Sequence, residues 1–149
     1  MRAGRVRRPF PSYTSPVDLV RDAMVADPLA LGDDRSAQEA GEALARPEVR
    51  AVFVCDAAGR LVGVVTRKTL VREVVAAGRD PRATPLGGIA EPPNATIEST
   101  MRLADAFAFV EEHDFERVPV IEDGRLVGVL ARAVVQRRLA EDDPPDDGA

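Results

Sequence analysis

The stretch TRKTL, Thr66 to Leu70, follows directly on the apolar run LVGVV and carries the groups best placed to hold an anionic ligand. A chain that turns from strand straight into helix exposes the helix's first amides and positive dipole end, which favour a phosphate. Thr66 suits the N-cap position, and Arg67 and Lys68 can reach phosphate oxygens. Positive charge in a first turn opposes the helix dipole, and that small local cost favours an anionic ligand or an acidic contact. Gly63 stands inside the preceding strand, where glycine weakens the ladder unless another backbone must pass close by. The same order recurs at LVGVL and ARAVV, with Gly128 inside the strand. There Ala131 cannot cap through its side chain, a loss of about 1 kcal/mol relative to threonine. Arg132 is the one charged group of that second turn.

Other chemistry is thinly supplied. With a single cysteine, Cys55, and a single histidine, His113, no intrachain disulfide and no multi-Cys or multi-His metal site can form. Cys55, among apolar strand residues, reads as a buried thiol, and His113 as a solvated residue near a helix end. Glu111, Glu112 and Asp114 fit a solvated helix end better than an acid–base pair. No nucleophile, base and orienting group come together, so an enzyme is not expected.

The formal charge of −5 gives no reason to expect nucleic-acid binding by the chain as a whole. Its distribution is uneven. Arg2, Arg5, Arg7 and Arg8 make a basic N-terminal arm, and Glu141, Asp142, Asp143, Asp146 and Asp147 an acidic tail. Proline and the lack of periodicity predict flexibility at both ends. A weaker reading lets the basic arm contact RNA, lipid or an acidic neighbour. No apolar run approaches the roughly 18 residues of a membrane helix, and the first residues lack the core of a signal peptide. A cytoplasmic protein without a membrane partner is the expectation.

The elements that position TRKTL belong to an internal repeat. The sequence from Val20 matches that from Leu86 in pattern without a gap, at a shift of 66 residues. Leu31 falls on Ile97, Leu44 on Val110, and Val52 and Val54 on Val118 and Val120. One residue fewer in the turn EDG than in DAAG then shortens the shift to 65, aligning GRLVGV at Gly59 with GRLVGV at Gly124. Each copy predicts a short extended piece (Leu29 to Leu31; Ala95 to Ile97) and a helix with an apolar stripe. The stripes are Ala37, Ala40, Gly41, Leu44 and Leu103, Ala106, Phe107, Val110. Ser36 with Glu39 has capping-box spacing in copy one, and Thr100 is the expected cap in copy two. Two apolar strands around a Gly-containing turn follow, then a second helix around Leu70, Val71, Val74 and Val75, or Val134, Val135 and Leu139. The fold class is therefore α/β, as two β-α-β-β-α units, predicted to pack about a pseudo-twofold axis. The expected boundaries are an arm at 1–14, units at 15–82 and 83–140, and a tail at 141–149.

In its order and duplication, with VRDAMV at the entry, AVFVCDAAGRLVGVVTRKTL in copy one and RVPVIEDGRLVGVL in copy two, the chain resembles a tandem pair of cystathionine-β-synthase (CBS) domains, the Bateman module. The resemblance covers roughly Val17 to Ala140. It implies paired units with clefts that sense adenine-containing ligands such as AMP, ADP, ATP, NADH or S-adenosylmethionine, with no required cofactor. It also implies a homodimer that reports to a regulated protein in trans. The family's ligand-binding motif places Ser or Thr, two residues, then Asp, and the hydroxyl and carboxylate hold the ribose hydroxyls. Thr66 matches the first position, while Thr69 stands at the aspartate position; in copy two these are Ala131 and Val134. The candidate ligand residues are thus Gly63, Thr66, Arg67, Lys68 and Thr69, with Arg132 in copy two. The alternative is a ligand-free dimerisation or scaffolding module, since both motifs lack the ribose-binding Asp.

Overall fold

The computed structural model describes residues 18–26 and 28–142; the basic arm and residues 143–149 of the acidic tail lie outside the described residues. The elements run α1 (Val20–Ala23), β1 (Val25–Ala26), β2 (Ala30–Gly32), α2 (Ala37–Leu44), β3 (Val52–Cys55), β4 (Leu61–Val65) and α3 (Arg67–Leu70). A π-helical turn, Val71–Val75, continues α3, and two 3-10 turns, Pro81–Ala83 and Leu86–Gly88, lead into the second copy. There follow β5 (Ile97–Glu98), α4 (Leu103–His113), β6 (Arg117–Glu122), β7 (Arg125–Ala131) and α5 (Arg132–Asp142). The β-α-β-β-α order appears twice. No helix among the described residues is long and apolar enough to cross a membrane.

The chain forms two compact units whose boundaries do not follow the repeat. Among the described residues, one takes 18–26, Thr96–Val120 and 128–142. The other takes Asp27–Ala95 with Ile121–Val127. The entry segment of copy one is thus part of the unit built from copy two. The entry segment of copy two, around Leu86, completes the unit built from copy one.

The backbone contacts that seat these segments repeat at the 66-residue shift. In the first unit the amide of Val20 donates to the carbonyl of Met101 (2.9 Å), Arg21 to Ser99 (3.0 Å) and Leu103 to Asp18 (2.9 Å). In the second, Leu86 donates to Arg35 (2.8 Å), Gly87 to Asp33 (2.9 Å) and Ala37 to Thr84 (2.8 Å). The last bond of each set satisfies a helix's first amide, which has no partner inside the helix. Val20 and Leu86, equivalent in the repeat, are both fully buried.

In the second unit, β2 runs parallel to β3 and β3 antiparallel to β4, with a bulge between Val54 and Cys55. Ala37, Ala40 and Leu44 of α2 pack with Val52, Val54, Val65, Val74, Leu86 and Ile89. The two GRL turns meet here as well: Leu126 donates to the carbonyl of Gly59 (3.1 Å), and Arg60 bridges Arg125. Gly59 and Gly124 both hold positive φ, 83° and 80°, so the hairpin turn itself demands glycine at these positions. In the first unit the sheet order is β1-β7-β6-β5, with Val25 opposite Val129 and Ala26 opposite Gly128. Val118, Val120, Leu130 and Val135 are buried, as are Leu103, Ala106 and Val110 of α4.

Four local expectations change. Ser36 caps α2 by accepting from the Glu39 amide (3.2 Å), but the Glu39 carboxylate pairs with Arg35 (2.7 Å) instead of closing the box. Thr100 does not cap α4. The N-cap is Arg102, which makes no side-chain cap bond, and the Asp18 carbonyl takes the first helical amide. Val71 and Val75 do not join the apolar stripe: they are 58% and 72% exposed, while Val74 is buried. The stripe packed on the core runs through Leu70 and Val74, and residues one place further on point to a different side of the helix. Cys55 is half-buried; burial first, then the neighbouring Asp56 carboxylate, push its thiol above its ordinary value, so the thiolate is scarce at neutral pH.

Candidate ligand site

Thr66 caps α3 as its position after a strand predicts, and Thr69 closes a capping box with it. The Thr66 hydroxyl oxygen accepts from the Thr69 amide (3.3 Å), and the Thr69 hydroxyl oxygen accepts from the Thr66 amide (3.0 Å). The Thr69 hydroxyl then donates to Oε2 of Glu91 (2.7 Å). Because that proton is engaged, the 3.1 Å contact between the two hydroxyls has Thr66 as its donor. Thr69 is 1% exposed, so it lies beneath the surface of the site. Arg72 donates to the same Glu91 oxygen (2.6 Å), and the Glu91 side chain remains 42% exposed.

Glu91 is brought here by backbone pairing with β4. Its amide donates to the Val64 carbonyl (2.9 Å), and its carbonyl accepts from the Val64 amide (2.8 Å). This pairing explains Gly63. A Cβ at that position would stand 2.6 Å from the Glu91 carbonyl oxygen and 3.0 Å from the Ala90 Cβ. The close backbone approach expected at Gly63 is made by the chain's own entry segment. Gly128 repeats the arrangement in the other unit, where a Cβ would meet the Met24 sulfur at 2.6 Å and the Val25 carbonyl at 2.8 Å.

The two basic positions of TRKTL diverge. Arg67 turns back to donate to the Arg46 carbonyl (2.8 Å), just past the end of α2. Lys68 is exposed. Arg132, equivalent to Arg67, also turns toward a helix end: it bonds Asp114 (2.9 Å), the C-cap of α4, and approaches Glu111 (3.4 Å). The hydrogen bond to Asp114 raises the Arg132 guanidinium above its ordinary value. Both arginines thus meet the negative end of the first helix of their own copy. His113 is exposed and stacks on Phe115, with Nδ1 3.0 Å from the Phe109 carbonyl.

The structure therefore brings Gly63, Thr66 and Thr69 together at one place, leaves Lys68 at its edge, and engages Arg67 and Arg132 elsewhere. Sequence reasoning missed Glu91. The signal lay in the repeat: at the 66-residue shift Glu91 stands opposite Val25, and at the 65-residue shift that follows the turn Thr66 and Thr69 stand opposite Ala131 and Val134. Three polar side chains in one unit answer to three apolar ones in the other. No group of three or more His, Cys, Asp or Glu suited to a metal ion occurs among the described residues.

Comparison with known proteins agrees with this architecture. The chain is 30% identical over 121 residues to Hypoxic response protein 1 of Mycobacterium tuberculosis, covering 81% of this chain and 85% of that protein. The crystal structure of Hypoxic Response Protein I with two coordinated zinc ions superposes with a TM-score of 0.69 at 28% identity, over 81% of this chain and 98% of the other. CBSX2 in complex with AMP gives a TM-score of 0.67 at 25% identity, over 85% of this chain and 98% of the other. The sequence profile of the CBS domain matches residues 20–76 and 86–141. With both repeats matched and the same fold in the relatives, the chain belongs to the CBS-domain family and carries two CBS domains in tandem.

Proposed function

We propose that the protein is a non-catalytic regulatory module that takes an adenine-containing ligand at the Thr66 site and reports its presence to a partner protein in trans. The observation that carries this reading is the contrast between the two copies. Thr66, Thr69 and Glu91 form a polar, carboxylate-bearing site with Lys68 beside it, where the other unit offers Ala131, Val134 and Val25. The AMP complex of CBSX2, a CBS-pair relative, supports an adenylate as the ligand class. Regulation requires that the ligand bind two arrangements of the module with unequal affinity.

A thermal-shift screen with AMP, ADP, ATP, NADH and S-adenosylmethionine tests the reading. A ligand at 100 times its Kd adds about 2.7 kcal/mol of stability, so at least one should raise Tm by several degrees. If none moves Tm at millimolar concentration, the sensor reading falls. The second reading, a scaffolding module without a ligand, then takes its place. It is favoured by the hydrogen bonds that Thr66, Thr69, Glu91 and Arg72 already make with one another and by the use of Arg67 as a helix cap.

The module is read as a homodimer. Val75, 72% exposed, lines a groove of about 430 Å³ together with Ala37, Gly41, Leu70 and Val74. A second copy packed there would cover a largely apolar surface. Sedimentation equilibrium should show a dimer for the native protein and a monomer for Val75→Glu; an unchanged dimer would place the interface elsewhere.

A further inference from the structure

The hydrogen bonds around Thr66 run in one direction, and that direction decides what the site can still hold. Thr66 gives its hydroxyl proton to Thr69, and Thr69 gives its own to Glu91. The Thr69 oxygen accepts from both the amide and the hydroxyl of Thr66, which fills its two lone pairs. Thr69 has neither donor nor acceptor capacity left for a ligand, and it is buried. The Thr66 oxygen accepts from the Thr69 amide and retains one lone pair. On Glu91 both contacts fall on Oε2, leaving Oε1 without a protein donor among the described contacts, on a side chain that is 42% exposed. Thr66 and Glu91 therefore offer a ligand acceptors, the stronger of them a carboxylate oxygen, while the donors nearby are the cationic Lys68 and Arg72.

We infer that Glu91, and not the residue at position 69, is the carboxylate that receives the hydroxyl protons of a ribose at this site, with Thr69 and Arg72 acting as positioning residues that hold it. A ribose diol presents two O–H donors. The free acceptors on Thr66 and Glu91 suit it, and an ionised acceptor binds it more strongly than a neutral one. Glu91 reaches the site from the entry segment of the following copy, through its two backbone bonds to Val64. The equivalent register in the other unit delivers Val25 against Val129, so that site lacks the ribose acceptor for two reasons at once. The inference rests on the adenylate reading above and sharpens it, since it names the group that selects ribose over deoxyribose.

The test is isothermal titration of the full chain with AMP and with 2′,3′-dideoxy-AMP. The native protein should prefer AMP by about ten- to a hundredfold, the range for a hydrogen bond to a charged group. Glu91→Gln, close in shape, should lose that factor for AMP while keeping the dideoxy affinity, so the preference collapses. Circular dichroism at matched concentration confirms that the variant is folded. Equal affinity of the native protein for the two nucleotides would overturn the inference without help from any variant, and so would an unaltered preference in Glu91→Gln. Equal loss of both nucleotides in that variant would overturn it too, because it would assign Glu91 to the integrity of the site. Failure of the native protein to bind either nucleotide would remove the adenylate reading and this inference with it.

Discussion

Leu86→Ala is expected to lower the free energy of unfolding by about 2–5 kcal/mol, the range for emptying a leucine-sized space in a close-packed core. Leu86 lies in the link between the two copies, where a surface-exposed connection would tolerate the change within about 0.5 kcal/mol. Its environment says otherwise. It is 0% exposed and packs with Ala37, Ala40, Leu44, Val52, Val54, Val65 and Val74. Its amide is tied to Arg35, so the side chain cannot swing out without loss of a backbone bond. Urea unfolding followed by circular dichroism reads the effect as a lower midpoint at constant m-value. A loss below about 1 kcal/mol would mean that the entry segment is only loosely seated on the unit it completes.

Gly63→Ala should cost about 1–3 kcal/mol or more for a single added methyl group, from overpacking against atoms that cannot move aside. The new Cβ would stand 2.6 Å from a backbone oxygen and 3.0 Å from a second Cβ. Neither belongs to the far end of a flexible side chain. Relief requires the segment carrying Glu91 to move away from β4, which breaks one or both bonds to Val64 and carries Glu91 from Thr69. Stability and ligand affinity should therefore fall together. Gly88→Ala is the matched control: a Cβ there meets nothing within 4 Å, and its effect should stay within about 0.5 kcal/mol. Comparable stability for the two variants would show that the approach of Glu91 to Gly63 is slack in solution.

The legible part of this molecule was what the repeat could carry. The pattern of apolar residues put both first helices and all four hairpin strands close to where they are found, because each buries a face of fixed period. Thr66 was legible as a cap because the chain passes from strand to helix with no linker. The illegible part was long-range. Backbone bonds from Leu86, Gly87 and Glu91 tie the entry of the second copy to residues 33–64. Local pattern contains no term for such pairing. Thr100 failed as a cap for the same reason, since the Asp18 carbonyl, distant in sequence, had taken the amide it would have served. Val71 and Val75 misled because an apolar residue reads the same whether its face is covered or bare.

The exchange of entry segments also sets an order of events when the chain is made. Asp27–Ala95 is nearly self-sufficient: apart from the turn at Ile121–Val127, all its parts emerge from the ribosome in sequence. Its contacts are available while the second copy is still being synthesised. The other unit needs Val20 to find Met101, and β1 to find β7. At 5–20 residues per second, its first strand waits on the order of ten seconds for its partner. The loop that must close grows costlier only slowly with length, so the delay arises from translation more than from entropy. During that interval the already folded first repeat separates the waiting segment from its destination along the chain, and the second repeat completes its fold only by reaching back across it.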